Sequence, residues 1–216
     1  MSTPPNSATP ATGATPATGA TPGTPAAGAA IDPVTARAQA LLAARLPGVV
    51  LAQELTGRHP WIRVTVEGLR DALRLLRDDA STQLECLHLV SGVDWPARKP
   101  GEKAELEVVY HLVSYSLPYD ADYKARRGPQ AKNDPWVAIK VRVPREAPEV
   151  PSVMDLFTGA DWHERETYDL LGVRFTGRGF VPRILLPEDW PGFPLRKDWE
   201  TPSDYHGIPI VPPEGL

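Results

Sequence analysis

The sequence predicts an α+β protein: a mainly antiparallel sheet with helices on one face, followed by a short helical segment and an extended C-terminal arm. Three observations carry this reading. Apolar residues recur at helical spacing over 34–46 and again over 69–76. Runs of strand character surround these segments, and the later ones are separated by stretches rich in Gly, Pro and charge rather than by further helices. That pattern favours hairpins over parallel crossovers. Beyond Pro151 periodicity fades, and eight prolines fall between Pro182 and Pro213.

Residues 1–32 carry "TPATGA" at 9–14 and 15–20 and a decayed copy, "TPGTPA", at 21–26. A tract of Ala, Thr, Pro and Gly buries too little surface to offset its ordering entropy, so a disordered tail is expected. It has neither the basic region and apolar run of a secretory signal nor the Arg-bearing amphipathic helix of a transit peptide. A soluble protein facing the cytoplasm is the default.

Residues 33–150 read as the α+β domain. Helix one runs from Val34 to Leu46 and stops at Pro47-Gly48. "VVLAQEL" and "WIRVTV" are two strands about a turn, with Ile62, Val64 and Val66 alternating against Trp61, Arg63 and Thr65. Leu69, Ala72, Leu73 and Leu76 line one face of helix two, and Arg70, Arg74 and Arg77 fall on its solvated side. "QLECLHLV", "ELEVVYHLVSY" and "PWVAIKVRV" are three more strands. Between the last two lies "YKARRGPQAK", whose Lys124, Arg126, Arg127 and Lys132 are expected in a solvated loop.

Residues 151–174 form a helical segment. "PSVMDLF" reads as a short helix with Ser152 as N-cap and Asp155 three residues on. In "WHERETYDLLG", Asp161 is placed to cap, Glu164 to complete a capping box, and Gly172 to end the helix. Arg165 can pair with Asp169 at i,i+4, and His163 with Glu166 at i,i+3. Residues 175–216 form the arm.

Several function classes are excluded on composition. A net charge of −4 is a poor footprint for nucleic acid. One cysteine, Cys86, supplies neither a disulfide nor a multi-thiolate cage for a cluster or structural zinc, and reads as a buried small hydrophobe. No segment approaches the ~20 apolar residues of a transmembrane helix. His163-Glu164 opens like a zinc-protease motif, but Thr167 stands where the second His is needed. The remaining histidines, His59, His88, His111 and His206, are scattered, and no glycine-rich nucleotide fingerprint is present. A self-sufficient enzyme using His163 and Glu166 is the remote alternative.

The arm carries Phe175, Phe180, Ile184, Leu185, Leu186, Trp190, Phe193, Leu195 and Trp199 among its prolines. Ordering each residue costs about 1–2 kcal/mol, so this arm is not expected to fold on itself. It must lie along another subunit or wrap this protein's own sheet.

"WHERETYDLLGVRF" together with "RILLPEDWPGFPLRKDW" resembles the signature of the 30 kDa subunit family of bacterial NADH-quinone oxidoreductase (respiratory complex I), whose bacterial member is the C subunit. The resemblance is specific over about residues 150–200. Glu164, Arg165, Glu166, Tyr168, Asp169 and Gly172 match the first signature; Arg183, Leu195, Arg196, Lys197 and Asp198 match the second. With Trp190, the side chains among these form the expected partner interface.

The resemblance implies a subunit without catalytic residues or a cofactor of its own, the FMN, iron–sulfur clusters, quinone and NADH of the complex being bound by other subunits. It implies a peripheral place on the cytoplasmic side of the cell inner membrane, attached through the complex. The implied neighbours are the quinone-site subunit (the D subunit) and the iron–sulfur subunits. Two departures stand out. Arg178 to Pro182 replace the usual His-Pro-Asp-Leu-Arg, and Phe193 replaces a His. An equivalent member of a related membrane-bound hydrogenase complex is the nearest alternative.

Overall fold

The computed structural model describes residues 32–56, 59–116, 136–179 and 182–210. The Ala/Thr/Pro/Gly tail, the basic stretch around Arg126, and Phe180 lie outside them.

Helix α1 (Pro33–Arg45) starts where the sequence can cap it. The Asp32 carboxylate accepts the Thr35 backbone N–H and hydroxyl, both at 2.8 Å, with Pro33 in the first turn. Val34, Ala38 and Leu42 are buried from this helix. Strands β1 (Val50–Glu54) and β2 (Trp61–Val64) follow, then α2 (Leu69–Asp78), which buries Leu69, Ala72, Leu73 and Leu76 as its spacing predicts. Strands β3 (Cys86–Trp95), β4 (Glu105–Val113) and β5 (Trp136–Pro144) complete a five-stranded sheet in the order β1-β2-β5-β4-β3. All neighbours are antiparallel except β2 and β5, which run parallel. The chain continues through β6 (Glu149–Pro151), α3 (Ala160–Leu171) and β7 (Arg174–Thr176); β6 and β7 pair in parallel. A two-residue ladder, β8 (Asp204–Tyr205) with β9 (Ile208–Pro209), ends the described chain.

Alternation sorts the sheet into two faces. Leu106, Val108, Tyr110 and Leu112 of β4, with Val137, Ile139, Val141 and Val143 of β5, form one buried layer with the apolar stripes of α1 and α2. Ala160 and Leu171 of α3 join the same core, so all three helices cover one face. Close approach of α3 depends on Gly92: a Cβ there would collide with Leu171 Cδ1. The opposite face carries Glu107, held by Arg142 at 2.9 Å and Lys140 at 3.7 Å.

Four expectations are corrected. "PSVMDLF" forms turns rather than a helix, and the Ser152 hydroxyl donates to Glu164 at 2.7 Å instead of capping. Arg70 and Arg77 are not simply solvated. Arg70 forks onto Asp155 at 2.8 and 2.6 Å, and Arg77 donates to the Leu156 carbonyl at 2.9 Å, so α2 clips residues 152–157 in place. The histidines are not all scattered: His59 and His111 flank Trp136 at 5.9 and 6.1 Å between ring centroids, with His88 close enough to act on His111. Cys86 is half-buried rather than buried.

Candidate functional site

The site is α3 with the arm laid along it, and it is organised by carboxylates turned inward. Helix α3 starts at Ala160, behind Gly159, with no side-chain cap. The capping box is therefore absent, because both acids of that pattern have stronger partners elsewhere. Glu164 is fully buried and accepts from the Ser152 hydroxyl at 2.7 Å, the Val153 N–H at 2.8 Å and Arg178 Nη1 at 2.8 Å. Arg178 also pairs with Asp161. A buried carboxylate is tolerated only with such a full set of donors.

Further along the helix, Asp169 performs the corresponding task for the arm. Its side chain, 0% exposed, accepts three consecutive backbone N–H groups, from Ile184 at 3.1 Å, Leu185 at 2.7 Å and Leu186 at 2.9 Å, and Arg183 Nη1 at 2.9 Å. Burial alone pushes this carboxyl up, but the four donors outweigh it and hold it below the usual aspartate range. Arg183 is in turn fixed by the Trp190 and Gly192 carbonyls at 3.3 and 3.1 Å. The expected Arg165–Asp169 pair does not form, since Asp169 is committed to the arm. His163 and Glu166 do not pair either; the His163 carbonyl accepts the Thr167 hydroxyl, and Glu166 is exposed.

Gly172 ends α3 in the left-handed conformation, φ 79°, as expected. A Cβ there would also collide with Phe193 and Arg196, which pack over the helix end. Arg196 Nε donates to the Leu171 carbonyl at 2.7 Å, the Leu195 N–H to the Leu170 carbonyl at 3.1 Å, and Tyr168 meets Phe193 edge-on at 6.2 Å. Closer to the sheet, Asp94 at the end of β3 accepts the Lys197 N–H at 2.7 Å and Arg145 at 2.9 Å, and Arg145 reaches on to Asp198. Trp190 stacks on Trp199 at 6.4 Å and lies 5.1 Å from Tyr205.

Of the two courses open to the arm, along another subunit or against its own chain, its described part takes the second. Among the charged side chains that α3 and the arm leave outward stand large apolar ones: Trp162 and Leu185 are each 63% exposed and Leu195 54%. Of the residues expected at an interface, Glu164 and Asp169 are interior, and Trp190 packs within the arm. Arg165, Glu166, Leu195, Lys197 and Asp198 keep solvent exposure. Sequence reasoning missed the role of Arg178, which stands there only as a departure from the family pattern, and of Asp94, over a hundred residues from the Lys197 amide it binds. Neither has a local signal, since both partners are brought by the fold.

Among the described residues no helix is long and apolar enough to cross a membrane. The sequence model of the respiratory-chain NADH dehydrogenase 30 Kd subunit matches residues 62–205, from β2 to β8. The chain is 38% identical over 159 residues to the C subunit of NADH-quinone oxidoreductase from Roseiflexus castenholzii, covering 74% of this chain and 80% of that protein. It is 35% identical over 173 residues to the protein of the same name in Acidothermus cellulolyticus, covering 79% and 80%. Its fold is similar to a chain of the membrane-bound sulfane sulfur reductase, an archaeal respiratory membrane complex, with TM-score 0.54 and 25% identity over 76% of this chain and 83% of that one. The matched span takes in four of the five strands of the sheet, α3 and most of the arm together, and on that ground the chain belongs to the 30 Kd subunit family of respiratory-chain NADH dehydrogenase.

Proposed function

We propose that this chain is a non-catalytic scaffold subunit in the peripheral arm of a proton-translocating NADH:quinone oxidoreductase. It holds together the module that passes electrons from iron–sulfur clusters to quinone. NADH, FMN, clusters and quinone are bound by other subunits, and the chain itself carries no cofactor. Its neighbours are the quinone-site subunit and the iron–sulfur subunits, on the cytoplasmic side of the cell membrane.

The observation that carries this reading is the outward face of α3 and the arm. Its backbone is fixed from within by Asp169, Asp94 and Glu164, yet it presents Trp162, Leu185 and Leu195 to solvent. A rigid surface bearing large exposed apolar side chains binds without a heavy ordering penalty, which is the arrangement a permanent contact between subunits favours. The structural likeness to a chain of the sulfane sulfur reductase complex supports a second reading, the same scaffold role in a related respiratory complex with another electron donor.

Affinity purification of the tagged chain from detergent-solubilised membranes tests both. The expected result is co-purification of the quinone-site and cluster-bearing subunits with NADH:quinone activity. Combined Trp162→Ala, Leu185→Ala and Leu195→Ala should cut that recovery at least about tenfold without altering the circular dichroism of the isolated chain. A chain that elutes alone, or a triple variant with full recovery, refutes the proposal. A complex with a different donor activity selects the second reading.

A further inference from the structure

Five arginines lie between residues 160 and 198. Three have carboxylate partners within the chain: Arg174 with Glu149, Arg178 with Asp161 and Glu164, and Arg183 with Asp169. Among the described residues Arg165 and Arg196 have none. Arg165 makes only long contacts, 3.4 Å each, to the Pro182 and Arg183 carbonyls, and its guanidinium lies 5.4 Å from the Trp162 ring centre. Arg196 spends Nε on the Leu171 carbonyl and leans over Phe193 at 4.7 Å, leaving its terminal nitrogens without an acid. Burial and then the neighbouring Arg145 disfavour its charge, and the more distant pull of Asp198 and Asp94 does not make this up.

A half-buried guanidinium with no acid in contact is costly, and along α3 and the arm the other three arginines each have one. Each of the two also sits beside an exposed apolar side chain, Trp162 next to Arg165 and Leu195 adjoining Arg196. A planar fork beside an aromatic ring, with Nη1 of Arg165 and both terminal nitrogens of Arg196 lacking an acceptor among the described residues, is suited to donate to a carboxylate from outside.

We propose that Arg165 and Arg196 are sockets for carboxylates of the neighbouring subunit, whose docking segment is therefore acidic and carries apolar side chains that cover Trp162 and Leu195. This rests on the docking reading above and adds the chemistry of the partner. The two contacts lie at different points along the site, Arg165 midway along α3 and Arg196 at its C-terminal end, so the acids must come from separate positions of the partner surface. That spacing fixes the orientation of the docked chain as well as its place.

The test uses the intact complex. Arg165→Lys and Arg196→Lys each keep the charge but introduce an amine, which a water-soluble carbodiimide couples directly to a carboxylate in ion-pair contact. In the assembled complex each variant should give a zero-length crosslink from the substituted position to an Asp or Glu of another subunit, located by tandem mass spectrometry. Wild-type complex should show none at either position. In parallel, Arg165→Gln and Arg196→Gln should each lower retention of the chain by roughly tenfold at moderate salt, with an effect that shrinks as ionic strength rises. A complex that assembles fully with no coupling at either position, coupling between two copies of this chain, or Gln variants retained like wild type would overturn the assignment. If the wild-type chain joins no complex at all, the docking reading itself fails, which separates the two.

Discussion

At the scale of single residues, Asp169 decides where the arm lies. One carboxylate satisfies three successive backbone donors and a guanidinium, so it sets both the path of residues 183–186 and the orientation of Arg183. Asp169→Asn removes the charge that Arg183 pairs with and replaces one oxygen by a donor, which must face either those N–H groups or the guanidinium. A loss of about 3 kcal/mol is expected, measured by urea denaturation, with new proteolytic cleavage between residues 183 and 190. The pKa of Asp169 is depressed in the folded state, so its contribution is fully present above the ordinary value of 3.8. It is lost as pH falls through the lower folded value. The clamp thus survives any mildly acidic condition.

His111 behaves in the opposite sense. Burial first, then His88, Lys140 and His59, lower its pKa from the ordinary 6.5, so folding favours its neutral form. Well above 6.5 neither the folded nor the unfolded chain holds the proton and nothing is lost. As pH falls through 6.5 the unfolded chain takes up the proton first, and stability declines. Melting temperatures between about pH 7.5 and 5.5 should fall in the wild type and fall less in His111→Gln; parallel slopes for the two proteins would remove His111 as the cause.

Among the secondary-structure elements, the sheet was legible and the connection into α3 was not. Strands β2, β4 and β5 announce themselves by period-2 alternation of apolar and polar residues, whereas β3 has a register shift after Leu87 and runs on to Trp95, past the expected end at Val90. Leu106, Val108, Tyr110 and Leu112 against Glu105, Glu107 and His111 leave little choice of register. "PSVMDLF" misleads because its helix-like opening is overruled by α2. Arg70 and Arg77 capture the Asp155 carboxylate and the 152 and 156 carbonyls, and Glu164 captures the Ser152 hydroxyl that would have capped. The capping-box reading of Asp161 and Glu164 fails for the same reason, since Arg178 and Val153 offer more than a helix end can.

Gly92 is the hinge of the packing between α3 and β3. Gly92→Val places methyl groups where Leu171 and Thr167 sit, and should destabilise by about 1–3 kcal/mol. Because α3 carries Asp169, the displacement should also expose the arm to protease. Scanning calorimetry and limited proteolysis check the two effects together, and an unchanged melting temperature would show that α3 has room to give.

For the molecule as a whole, the signature residues divide into two kinds that sequence alone does not distinguish. Glu164 and Asp169 face inward and shape the surface; Arg165, Arg196 and the apolar trio lie on it. Spacing along a helix could not separate them, because what decides is the arm crossing α3, and the arm has no periodicity from which its path could be read. Alanine at an inward position should therefore lower the stability of the isolated chain and its assembly together. Alanine at Trp162, Leu185 or Leu195 should lower assembly alone.

The parallel pairing of β2 with β5 has a kinetic corollary. Hairpins β1–β2 and β3–β4 can each close as soon as they leave the ribosome, but the two halves of the sheet have no common edge until β5 arrives much later in the chain and slots between them. Until that moment the nascent chain exposes two open strand edges and an uncovered apolar layer, a state that invites chaperone binding. Synthesis must run past Pro144 before the central sheet can close, and past Asp198 before the far end of the arm can be clamped.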